Sequence, residues 1–124
     1  MSATFNNPSR YAEALAFRAK DGSLIRELLH PNRHGNHNQS LAEATVAPGE
    51  ETQLHRHRCT EEIYHILRGE GLMTLGNQSL LLIPGDSLCI PPGTPHRIRN
   101  TGGEPLVFLC CCSPAYRDQD TDLL

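Results

Sequence analysis

An all-β barrel or sandwich is the fold that this 124-residue sequence predicts. Three observations lead there. Helical periodicity is absent from residue 39 onward, where short apolar and β-branched segments recur at near-regular spacing. Glycine and proline turn signals divide those segments, a pattern of all-β domains. The length is that of one domain with an independent core.

Residues 1–15 are polar and alanine-containing and read as a short amino-terminal arm, either flexible or one short helix. The barrel is assigned to residues 16–112. Residues 17–20 run into Asp21-Gly22, a strong hairpin dipeptide, and 24–29 return from it. Residues 31–38 read as a polar loop carrying His34 and His37, with His30 beside it and all three histidines exposed. A strand over 40–46 stops at Pro48-Gly49. Further strands are expected over 52–57, 62–67, 72–75, 79–83, 87–90, 97–100 and 106–112. Gly76-Asn77, Pro84-Gly85-Asp86, Pro91-Pro92-Gly93 and Gly102-Gly103 supply turns between them. Residues 113–124, with three aspartates, are expected to form a tail on the surface.

Composition excludes several function classes. The formal charge is −3, from 11 basic and 14 acidic residues, and the basic residues are scattered. That leaves no electrostatic footprint for nucleic acid. No apolar run approaches the ~20 residues that cross a bilayer, and no secretory signal is readable in residues 1–20. Lys20 is the only lysine, so Schiff-base chemistry has almost no nucleophile. Five cysteines, three of them consecutive at 110–112, suit reduced thiols in a cytoplasmic protein.

The informative residues are histidines. Side-chain direction on a strand repeats every second residue, so His55 and His57 face one side with α-carbons ~7 Å apart. Two imidazoles at that separation can meet at one ion, each reaching it at ~2.0–2.2 Å. A tight turn over 58–60 returns a strand on which Glu62, Tyr64 and Ile66 share a face, opposite Glu61, Ile63 and His65. Glu62 is preferred over Glu61 because six residues separate it from Gly69. His96 begins a later strand with Ile98 and Asn100 on its side, leaving Arg97 and Arg99 outside. Three neutral imidazoles and a carboxylate leave a divalent ion at about +1 with open positions in a six-coordinate shell. The mixed donors suit Fe, Mn, Ni, Co, Cu or Zn, and affinity order does not choose among them.

Ten residues hold fixed positions: Gly49-(five)-His55-x-His57-(four)-Glu62-(six)-Gly69, then Gly85-(five)-Pro91-x-Gly93-(two)-His96-(three)-Asn100. At roughly 5% per residue type, coincidence is on the order of one in 10¹³ per starting point. These two stretches resemble the paired motifs of the cupin superfamily, without a substitution and with a short gap between them. The resemblance covers roughly residues 39–112. It implies a double-stranded β-helix, a jelly-roll-like conical barrel holding a metal. It implies that His55, His57, Glu62 and His96 are the metal ligands, and that Asn100 supports the second motif's loop. It also implies a homodimer formed through outer sheet faces or exchanged amino-terminal strands.

Function does not follow from such a fold. The leading expectation is a metal-dependent enzyme of dioxygenase type, acting on a small molecule that chelates the ion through two adjacent oxygens. The alternatives are a non-redox isomerase or polyketide-type cyclase, and a non-catalytic ligand-binding or sensing module. Glu62 is the candidate internal base. Tyr64 is the second candidate catalytic residue; it either fills the core or hydrogen-bonds a substrate oxygen. Cys111 is expected opposite Cys110 and Cys112, so that at least one thiol enters the interior.

Overall fold

A computed structural model describes residues 7–124; of the expected amino-terminal arm, residues 1–6 lie outside the described residues. Two antiparallel sheets face one another. The six-stranded sheet has the order β1-β2-β3-β10-β5-β8 and the five-stranded sheet the order β11-β4-β9-β6-β7. In chain order the strands are β1 (Ala16–Arg18), β2 (Leu24–Leu29), β3 (Ser40–Val46), β4 (His55–His57), β5 (Glu61–Arg68), β6 (Gly71–Leu75), β7 (Gln78–Leu82), β8 (Ser87–Ile90), β9 (His96–Asn100), β10 (Leu106–Ser113) and β11 (Thr121–Leu123). This is the all-β fold that the sequence predicts and the double-stranded β-helix that the resemblance implies.

Alternation places the core. On β5, Glu62, Tyr64 and Ile66 are buried while Glu61 and Ile63 are exposed. Ile66, Met73, Ile98, Leu106 and Phe108 are among the most deeply buried side chains, packed between the sheets. Burying each such side chain contributes roughly 1.5–3 kcal/mol. Gly69 turns β5 into β6 with φ +78°, and a β-carbon there would lie 2.7 Å from the Pro105 carbonyl oxygen. Only glycine fits that turn. Asn100 is buried and ties the end of β9 to its surroundings. Its amide donates to the carbonyl oxygens of Val46 and Glu104, and its Oδ1 accepts from the Gly102 amide.

Two expectations need correction. Residues 31–38 are not all loop: Pro31–His34 form one helical turn, α1. His30 caps it by accepting from the Asn32 amide and is buried, with Nε2 2.8 Å from the Tyr116 carbonyl oxygen. Proline at the first position and Gly35 in the left-handed region at the end are what such a turn needs. The carboxy-terminal segment is not merely a surface tail. Asp118–Asp120 form a 3-10 turn, β11 pairs with β4, and Asp120 and Thr121 are buried. No described helix is long and apolar enough to cross a membrane.

Candidate metal centre

Three strands and one turn assemble the site. β4 supplies His55 and His57, both buried, with exposed Arg56 between them. Antiparallel pairing sets His55 of β4 opposite His96 of β9. One ring nitrogen from each of His55, His57 and His96 lies within 4.8 Å of the others. Glu62, on β5 in the other sheet, brings Oε1 to 3.1 Å from His57 Nε2 and 3.6 Å from His96 Nε2. The structure therefore brings together all four residues singled out by their spacing.

Hydrogen bonding fixes which nitrogen is free. His55 Nδ1 lies 2.7 Å from the Gln53 carbonyl oxygen, and His96 Nδ1 lies 2.9 Å from that of Thr94. A carbonyl oxygen only accepts, so both Nδ1 atoms carry the proton. His57 Nδ1 faces Thr121 Oγ1 at 2.9 Å, and that hydroxyl already donates to the Arg117 carbonyl oxygen. It too must accept. In the neutral rings all three Nε2 lone pairs thus point inward, those of His57 and His96 toward the Glu62 carboxylate and that of His55 toward Asp21. Lone pairs converging on an anion repel unless a cation lies between them. His96 Nε2 is buried without any hydrogen-bond partner, which is costly for a polar atom unless something else satisfies it. The donor set fits a divalent transition ion on both counts.

Electrostatics favour the states such an ion requires. Burial, then the neighbouring His96, lowers the His55 pKa and keeps that ring neutral. Burial alone would raise the Glu62 pKa, but the neighbouring His57 and His96 rings outweigh it and hold it at about 2. Glu62 is therefore a carboxylate. Burial and then the Glu62 charge push the Tyr64 phenol well above its usual pKa. Tyr64 lines the cavity beside the cluster, with its ring edge-on to His96 and packed on Phe108. It can donate to an oxygen and cannot serve as a ready base.

The cavity beside the cluster holds about 50 Å³ of free space, room for a very small ligand and well below the volume of a drug-sized site. Asp21, Tyr116 and Thr121 also line it and went unread in the sequence. Asp21, in the β1–β2 turn, brings Oδ2 to 3.6 Å from His55 Nε2. Tyr116 stacks edge-on against His57 at 5.7 Å between centroids. Cys112 pairs opposite Glu62 across β10 and β5, its Sγ donating to Glu62 Oε2 at 3.4 Å. Cys110 and Cys112 both face the cavity and Cys111 does not, as alternation predicts. Asp21 had only the hairpin signal of Asp21-Gly22, and no local pattern marks Tyr116 or Thr121.

The sequence profile of the family described as Cupin domain matches residues 42–112. An uncharacterised protein of Methanocaldococcus jannaschii is 51% identical over 116 residues, covering 94% of this chain and 93% of that protein. An oxalate-binding protein of Thermotoga maritima is 34% identical over 86 residues, 69% of this chain and 67% of its own. Among solved structures, a predicted oxalate decarboxylase from Thermotoga maritima superimposes with TM-score 0.75 at 28% identity, covering 86% of this chain and 97% of that one.

Proposed function

The chain belongs to the cupin domain family, and on that premise we propose that it is a metal-dependent enzyme acting on a small organic molecule with two adjacent oxygens. The observation that carries this reading is the convergence of three inward Nε2 lone pairs and the Glu62 carboxylate beside an open cavity. His55, His57, His96 and Glu62 would hold one divalent ion. When bound, such an ion supplies Lewis acidity toward a hydroxyl or water and, if it is Fe or Mn, redox chemistry with O₂. The chain's own groups do the rest. The three imidazoles are held in orientation by their Nδ1 hydrogen bonds. Glu62 is the internal base, ionised and steered by Cys112. Tyr64 donates a hydrogen bond to a substrate oxygen.

Dioxygenase chemistry is the first reading within this class, because the mixed nitrogen and oxygen donors accept Fe or Mn. Non-redox isomerisation or cyclisation is the second. It is favoured by two thiols, Cys110 and Cys112, facing the same cavity, where an oxidising cycle would threaten them. Elemental analysis combined with oxygen-electrode screening over enediols and catechols tests both. Substrate-dependent O₂ uptake with Fe or Mn supports the first, and product formed with Zn and no O₂ uptake supports the second. Tight ligand binding with no product under any metal would leave a binding module and overturn the enzyme reading.

The proposal includes a homodimer in the cytoplasm. Five free cysteines suit a reducing compartment. Ile63 and Leu67, on the outer side of β5, are about 40% exposed, and their apolar surface suits a second copy. Light scattering at micromolar concentration checks this, and a monomeric mass rejects it.

A further inference from the structure

We infer that Asp21 is a substrate-facing carboxylate that biases the cavity toward a neutral, hydroxyl-bearing ligand and against a dicarboxylate. The inference rests on the metal-site reading above and adds to it a substrate class.

Asp21 is fixed by contacts that hold one side and leave the other free. Its Oδ1 accepts from the Ser23 amide at 3.0 Å and the Ser23 hydroxyl at 2.7 Å, and its main-chain oxygen accepts from the Gln53 amide at 2.8 Å. Ser23 is itself buried, so the carboxylate is held rather than swinging. Oδ2 is left facing the cavity, 3.6 Å from His55 Nε2. No hydrogen bond within the described protein uses that oxygen.

Charge decides what can approach it. Asp21, Glu27 and Glu62 line the cavity, and no arginine or lysine does. Basic side chains of β1, β2 and the turn between them are committed elsewhere. Lys20 donates to the carbonyl oxygens of Asp118 and Thr121, Arg18 to that of Gly22, and Arg26 to that of Ala14. A divalent ion held by three neutral imidazoles and Glu62 carries a net charge of about +1; Asp21 offsets it, and Glu27 adds a further negative charge to the lining. A dicarboxylate would then bring a second negative charge into a partly enclosed site with no cation to meet it, and would turn acceptor oxygens toward another acceptor. Burying such a charge unpaired is strongly unfavourable. A hydroxyl instead donates to Oδ2 in a charge-assisted hydrogen bond. Phe17, Ile25, Ala42, Ala44 and Phe108 line the rest of the cavity, which suits an apolar body behind the hydroxyl.

The test is calorimetric titration of the Zn(II)-loaded protein with catechol and with oxalate, after confirming one metal per chain. Asp21→Asn is expected to raise oxalate affinity about tenfold and to lower catechol affinity about tenfold. An affinity ratio shifted by less than threefold, with metal content unchanged, overturns the inference alone. Failure of the wild-type protein to take up metal overturns the site reading and this inference with it. Ser23→Ala keeps the charge but frees the carboxylate, and decides the matter should Asp21→Asn not fold. It should weaken catechol severalfold and change oxalate by less than twofold; unchanged catechol affinity in Ser23→Ala means that Oδ2 is not aimed as described.

Discussion

At the scale of single residues, the site is defined by the atoms behind the donors as much as by the donors. His57 keeps its Nε2 lone pair inward only because Thr121 Oγ1, committed as donor to Arg117, must accept the Nδ1 proton. Thr121→Val removes that acceptor at nearly constant volume and lets the ring turn or change tautomer. Loss of such an outer contact typically costs 10–100-fold in metal affinity, so equilibrium dialysis should show a decrease of about that size with the fold retained. His96→Ala removes a donor outright and should abolish stoichiometric uptake in the same assay. Equal affinity in Thr121→Val and the wild type would remove Thr121 from the site. The four donors were legible in the sequence because local spacing on strands dictates which way they face. Thr121, Asp21 and Tyr116 were not, because they reach the site from far along the chain and carry no pattern of their own.

Among the elements, β11 carries the least expected role. It pairs Thr121 with His57 and Leu123 with His55, so the carboxy-terminal strand buttresses the strand that holds two donors. Just before it, the Asp120 carboxylate accepts from the Cys59 and Thr60 amides at 2.9 and 3.1 Å. Those amides lie in the turn between His57 and Glu62, so Asp120 sets the approach of β4 to β5. Burial raises the Asp120 pKa, but the two amide hydrogen bonds outweigh it and the net shift is downward. A carboxyl whose folded value lies below its unfolded value of ~3.9 contributes stability that is present above that value and is lost as the pH falls through the folded one. Asp120→Ala should destabilise the protein by about 2–3 kcal/mol at neutral pH, since it strands two amides. As the pH falls through the folded value the gap between wild type and variant should narrow, as denaturant titrations at pH 7 and in acid would show. A gap independent of pH would mean that the carboxylate charge contributes nothing. Most strands were readable from alternation and turn residues, and 24–29, 40–46 and 87–90 match the observed strands. β11 was hidden because three residues among aspartates make no pattern until β4 is present to pair with them. Likewise α1 depends on its caps rather than on any apolar periodicity.

For the whole molecule, the site joins the two sheets. His55, His57 and His96 belong to the five-stranded sheet and Glu62 to the six-stranded one. Separating the sheets dismantles the donor set, so no partly opened form that parts them retains it. Metal binding must therefore count against global unfolding rather than against local fraying. By linkage, a free ion at 100 times its dissociation constant adds about 2.7 kcal/mol, which for a chain of this length raises Tm by roughly 10 °C. The unfolding transition should remain single, and a chelator should reverse the shift. His96→Ala should show no rise at the same metal concentration, which separates the site from weak binding by exposed histidines such as His37. A metal-dependent second transition, with the main one unmoved, would place binding on β4 and β9 alone and detach Glu62 from the centre. The convergence of side chains from opposite sheets thus makes a calorimetric scan a direct test of the four-donor site, before any substrate is identified.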